Sequence, residues 1–143
     1  MPNYWLLKTE PGSYSFADLE RDGTTVWDGV RNNVALKHMR SMQAGDLALI
    51  YHTATERQAV GMAELTSAPY PDPQADLTDS RTGAVPVVVD VRLVRRLMRP
   101  VSLAAIKAEA FFADFALVRQ SRLSVVPVNA AQWVRLLQLA GEA

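Results

Sequence analysis

The chain has 143 residues and a mass of 15.8 kDa, is 49% hydrophobic and 21% charged, and carries a formal net charge of +0. That length suits one domain burying roughly 68–70% of its unfolded surface, and the composition excludes a disordered chain. The balanced charge excludes a broadly basic nucleic-acid grip, and the lack of cysteine excludes disulfides, thiol nucleophiles and thiolate metal sites.

The N-terminus "MPNYWLLKTEP" has no basic region followed by a long apolar stretch, and no run approaches the ~18 apolar residues of a membrane span. A cytoplasmic protein is expected, or a nuclear one in a eukaryotic cell. "YWLLK" (Tyr4 to Lys8) is short, aromatic-rich and closed by "EPG", which predicts a strand ending in a turn. "SFADLERDG" predicts a helix, with Ser15 and Asp18 as a capping box and Gly23 as its stop. After Val26 and Trp27 the connection "DGVRNN" leads to a helix carrying Ala35, Met39 and Met42 at i, i+4 and i+7, ended by Gly45.

"DLALIYHT" and "QAVGMAELTSA" predict two strands joined by the polar loop "ATER", and Pro69 to Pro86 predicts a long surface excursion. In "VVVDVRLVRRL", Val89, Val91 and Leu93 alternate with Asp90 and Arg92, the pattern of a half-buried strand. "PVSLAAIKAEA" supplies a short helix capped by Ser102. "LVRQSRLSVVPV" returns to strand, and Asn129 with Gln132 opens a final helix whose Trp133, Leu136, Leu137 and Ala140 form one apolar stripe ended by Gly141. Asp72, Asp76 and Asp79 read as a solvated loop, and Arg92, Arg95, Arg96 and Arg99 as the wet side of a strand. Helices between only some strands, with at least one hairpin, favour an α+β fold: a mixed, mostly antiparallel sheet or small barrel flanked by short helices.

"TVWDGVRNNVALKHM" (Thr25 to Met39) concentrates recognition residues in one connection. Trp27 is either an aromatic wall, since base–aromatic stacking contributes roughly 1–3 kcal/mol, or a core side chain. Arg31, Asn32 and Asn33 stand at a helix start, where free N–H groups favour anions or carbonyl oxygens, and one of the asparagines is expected to be the N-cap. Lys8 ends the first strand and presents an amine at its rim, unless Glu10 pairs with it. Tyr51 and His52 end another strand, and His52 is a hydrogen-bond donor candidate, whereas His38 is expected to be exposed. Arg119, Gln120, Ser121 and Arg122 interrupt an apolar region: either a bulge, or Gln and Ser to read a base edge with Arg to hold phosphate.

The motifs "YWLLKTEP", "YSFADL", "WDGVRNNVA", "MQAGDLALIYH", "AVGMAEL", "YPDP", "PVSLAAIKAEAFFADFALVRQSRLSVVPV" and "QWVRLL", in this order, closely resemble the EVE domain family, to which thymocyte nuclear protein belongs. The resemblance spans about Asn3 to Leu137. It implies one PUA-like pseudo-barrel domain over residues 1–143 that reads a modified, flipped nucleobase in DNA or RNA. Such a pocket needs an aromatic wall, hydrogen-bonding groups and cations near the flanking phosphates. The candidate base-binding residues are Lys8, Trp27, Arg31, Asn32, Asn33, Tyr51, His52, Gln120 and Ser121, with Arg119 and Arg122 as phosphate ligands. The resemblance places Gln120, Ser121 and Arg122 on the pocket wall.

Two other classes compete: a PUA-like hydrolase or nuclease, and a domain that recognises protein or a small ligand. Ser121, His52 and an Asp are the residue types of a nucleophile set, but there is no G-x-S-x-G elbow and no triad spacing, so no enzyme is expected. Two histidines outside any metal-ligand spacing predict no metal, and no cofactor is expected. A monomer without a membrane partner completes the expectation.

Overall fold

The computed structural model of the chain describes residues 3–74 and 86–142. Strand β1 (Tyr4–Thr9) leads into α1 (Phe16–Asp22), β2 (Thr24–Trp27), α2 (Asn33–Arg40) and the hairpin of β3 (Leu47–His52) with β4 (Gln58–Leu65). The short β5 (Tyr70–Pro71) and long β6 (Val87–Ser102) follow, then α3 (Leu103–Lys107), a 3-10 turn at Ala110–Phe112, α4 (Ala116–Arg119), β7 (Val125–Val128) and α5 (Ala130–Leu139).

The strands pair in the order β2-β6-β4-β3-β1-β7, with β5 added on β6. Only β1 and β3 run parallel, Leu6 opposite Leu49; the other pairings are antiparallel, so the sheet is mixed and mostly antiparallel as expected. The path does not close: β2 and β7 are its two ends, and α2 packs against both β6 and β7. The pseudo-barrel therefore has a seam. In β1 and β3 consecutive residues are buried, Trp5 to Leu7 and Ala48 to His52, as in strands covered on both faces.

The local signals act where the sequence places them. Ser15 and Asp18 form a capping box on α1, Asn129 and Gln132 another on α5, and Ser102 caps α3. The arginines of β6 are exposed but engaged: Arg92 pairs with Glu64, Arg95 with Glu142 and Arg96 with Glu20, while Arg99 Nε donates to the Leu139 carbonyl at 2.9 Å. This strand is a face laced by its own acids.

Four expectations are corrected. Helix α2 ends at Arg40, not Gly45, because Ser41 Oγ donates to the His38 carbonyl and the Gln43 amide is taken by the Asp46 carboxylate, which turns the chain away. Residues 116–119 are helical, not strand: the apolar run Phe115 to Val118 is too short for its period to decide, and the Phe115 carbonyl accepts from Val118 and Arg119. "RQSRLS" is consequently a helix end and turn, with Gln120 the C-cap of α4, and not a bulge. His38 is half-buried beside the Trp5 ring, and burial lowers its pKa, with Lys37 adding to the effect. The pairing of Tyr70–Pro71 with Val87–Val88 is an addition, and Asp76 and Asp79 lie outside the described residues, as does the excursion from 75 to 85. Among the described residues no helix is long and apolar enough to cross a membrane.

Helix α1 is fixed to the sheet at one close approach. Phe16 is fully buried, its ring lies against the Gly61 backbone of β4, and a methyl group on Gly61 would overlap three ring atoms. Gly61→Ala is therefore expected to destabilise the fold by about 1–3 kcal/mol, since a sealed ring has nowhere to move. Urea unfolding measures this, and a parent-like midpoint would show that the ring yields.

Candidate functional site

The seam between the open edges holds a cleft of about 510 Å³. On one side stand Lys8 and Thr9, from the end of β1, and Ser124, whose carbonyl accepts the Lys8 amide at 3.0 Å and extends the β1–β7 pairing. On the other side run Thr25 to Arg31, from β2 into the connection before α2. Gly29, at φ 76, takes a left-handed backbone conformation that favours glycine in the connection after Asp28. The loop between β1 and α1 forms a third wall: Thr9 Oγ1 donates to the Tyr14 carbonyl at 2.7 Å, and the Tyr14 hydroxyl donates to Asp22 at 2.9 Å.

Trp27 holds both places that its residue type allows. It belongs to the core, 7% exposed, and it lines the cleft. Its indole N–H has no partner among the described residues, yet no buried side-chain polar atom there lacks one, so that donor remains open to solvent.

Lys8 is the hinge of the site. Its Nζ donates to the Ser121 carbonyl at 2.9 Å and lies 5.9 Å from the Tyr51 ring centroid. Burial lowers its pKa below the ordinary lysine value. Glu10 does not pair with it; that carboxylate accepts from the Gly12 amide and the Ser13 hydroxyl. Lys8 also lines a second cleft of about 440 Å³ with Tyr51, Arg57, Lys107 and Ser121. Ser121 in turn lines a third, of about 350 Å³, with Asn32, Arg119, Gln120 and Arg122. Lys8 thus lines both the first and second clefts, and Ser121 both the second and third.

Of the predicted residues, the seam brings together Lys8, Trp27 and Arg31. Tyr51 is buried in the wall of the second cleft, and burial raises its pKa while Arg57 opposes the shift. Asn32, Gln120, Ser121, Arg119 and Arg122 gather in the third. Asn32 is the N-cap of α2, its Oδ1 accepting from the Val34 and Ala35 amides at 2.9 and 3.1 Å, whereas Asn33 is the first helical residue and lines none of the three. His52 stands apart from them. Its Nε2 accepts the Phe16 amide at 2.9 Å, so the proton sits on Nδ1, which donates to Glu56 at 3.0 Å. The end of β3 places His52 at the start of α1, where it holds that helix rather than offering a donor. Sequence reasoning left out Thr9, Ser13, Tyr14, Thr25 and Ser124, and counted Asp28 among the recognition residues of the connection without giving it a contact. The available signals were the hydroxyls of "TEPGSYS", the Asp inside "WDGVRNN" and a lone serine before "VVPV".

A family model described as the EVE domain matches residues 3–139. The chain belongs to the EVE domain family. This EVE domain is 31% identical to thymocyte nuclear protein 1 of Rattus norvegicus, over 97% of this chain and 74% of that protein. A protein of Rhodopseudomonas palustris has a solved structure that superposes with a TM-score of 0.87 at 40% identity, covering 97% of this chain and 93% of that one. Human THYN1, solved in complex with 5-methylcytosine-containing DNA, superposes with a TM-score of 0.85 at 27% identity over 99% of both chains.

Proposed function

We propose that this EVE domain reads a modified base in DNA, holding a flipped base in the seam, with 5-methylcytosine the first candidate. The observation that carries the reading is Trp27: one ring fixed by the core on one side and lining an open cleft on the other, with its N–H unspent. Such a ring supplies a rigid stacking face and a donor for a base-edge acceptor. Asp28, exposed in the same cleft, is the residue type that accepts from the exocyclic amine of cytosine, and Lys8 and Arg31 are cations for the flanking phosphates. The solved DNA complex of human THYN1 supports the ligand class. The volume lies in the usual range of about 300–1,000 Å³ for small-ligand pockets. A hydrolase would need His52 to take a proton from Ser121, and both His52 ring nitrogens are engaged elsewhere.

The direct test compares matched duplexes carrying cytosine or 5-methylcytosine at one position. Tighter binding of the modified duplex is expected, and equal affinities would end the reading. Lys8 adds a pH signature. Because burial lowers its pKa, the ammonium loses its proton on rising pH below the ordinary 10.5. Affinity should therefore fall through that alkaline window, with the salt slope flattening by about 1, and Lys8→Arg should bind evenly across it. A parent as insensitive to alkaline pH as Lys8→Arg removes Lys8 from the interface.

A further inference from the structure

Ion pairing sorts the cations of this neutral chain into two groups. Arg21, Arg92, Arg95, Arg96 and Arg135 each engage a carboxylate. Among the described cations without a carboxylate partner, which also include Arg31, Lys37, Arg99, Arg119 and Arg122, the three residues Lys8, Arg57 and Lys107 line the second cleft, whose walls include no Asp or Glu. The same cleft carries apolar surface from Tyr51, Leu103 and Leu117. An apolar floor under a rim of unpaired cations matches a nucleotide: a base below, a phosphodiester above.

We infer that this second cleft is a subsite for the nucleotide adjoining the read base, so that the protein senses sequence context as well as modification. The inference rests on base capture in the seam. Lys8 lies in the wall between the two clefts, at the place of the phosphate linking the two nucleotides. The β3–β4 loop is built for the second cleft. Ala54 and Arg57 are the non-glycine residues with positive φ among the described residues, at 64° and 51°, and Arg57 Nε donates to the Ala54 carbonyl at 3.2 Å. Strained backbone of this kind concentrates where a loop must present a side chain in one position. Here it fixes Arg57 while leaving the rest of its guanidinium without a protein partner.

The test uses the same duplex pair, with the nucleotide on either side of the 5-methylcytosine replaced in turn by an abasic residue. One of the two replacements should weaken the parent roughly 5-fold or more. Arg57→Gln and Lys107→Gln should each lower the logarithmic salt slope by about 0.9 and keep the preference for 5-methylcytosine. The double variant should lower the slope by about 1.8 in all and still respond to the abasic replacement, because the neighbouring base rests on the unchanged apolar floor. Both side chains are exposed, so parent-like melting is expected and is checked in parallel. A retained preference with unchanged slopes, or a parent indifferent to both abasic neighbours, overturns the subsite and leaves base reading standing. A lost preference in the parent overturns base reading, and the subsite with it.

Discussion

Trp27→Ala is expected to remove discrimination between cytosine and 5-methylcytosine and to destabilise the fold by about 3–5 kcal/mol, because one ring serves the core and the cleft together. The stability term is a large-to-small change at a site 7% exposed, where β2 meets β6 opposite Val89. The binding term, loss of a stacking face, is roughly 1–3 kcal/mol. Trp27→Phe separates the two. It keeps an aromatic ring in the core and in the cleft while removing the indole N–H, so it should remain nearer the parent in urea unfolding, bind both duplexes more weakly through the lost donor and keep part of the preference that stacking supplies. Arg122→Ala, at an exposed residue of the third cleft, should instead weaken all DNA about equally and flatten the salt dependence. Calorimetry and melts on the same preparations give both terms. A folded Trp27→Ala protein that discriminates as the parent does would make "WDGVRNN" a structural connection only.

Asp46→Ala is expected to reduce stability by about 3–5 kcal/mol while leaving DNA selectivity intact. Asp46 is 2% exposed at the start of β3, and its carboxylate accepts the Asn3 amide at 2.9 Å, the Trp5 indole N–H at 3.0 Å and the Gln43 amide at 2.9 Å. Truncation orphans three donors, each at about 1–3 kcal/mol when water cannot reach it, and the Trp5 donor is buried. These bonds tie the exit of α2 to the parallel β1–β3 pair, where the Leu47 amide also donates to the Asn3 carbonyl at 3.2 Å. Asp46→Asn should fall between, because its amide nitrogen faces donors. Urea unfolding should show a lower midpoint with an unchanged m-value. Binding to the duplex pair well below the midpoint should match the parent, since Asp46 lines none of the three clefts. A parent-like midpoint would mean that water replaces the carboxylate.

What the sequence by itself determined are the features set by neighbours within a few residues. The capping pairs Ser15–Asp18 and Asn129–Gln132, the strands of "YWLLK" and "LALIYH" and the wet arginines of β6 all follow from hydrogen bonds or side-chain period along one element. The family was legible too, because its motifs recur in order along the chain. The tertiary structure decided which candidates meet. Lys8 and Trp27 sit on strands far apart in sheet order, and only the curl that brings the open edges together places both in one cleft. The same long-range placement withdrew His52, whose ring nitrogens are taken by Phe16 and Glu56, and added Arg57 and Lys107 to the second cleft. A ring nitrogen's partner and a cation's lack of one depend on residues distant in the chain, and no local pattern encodes them.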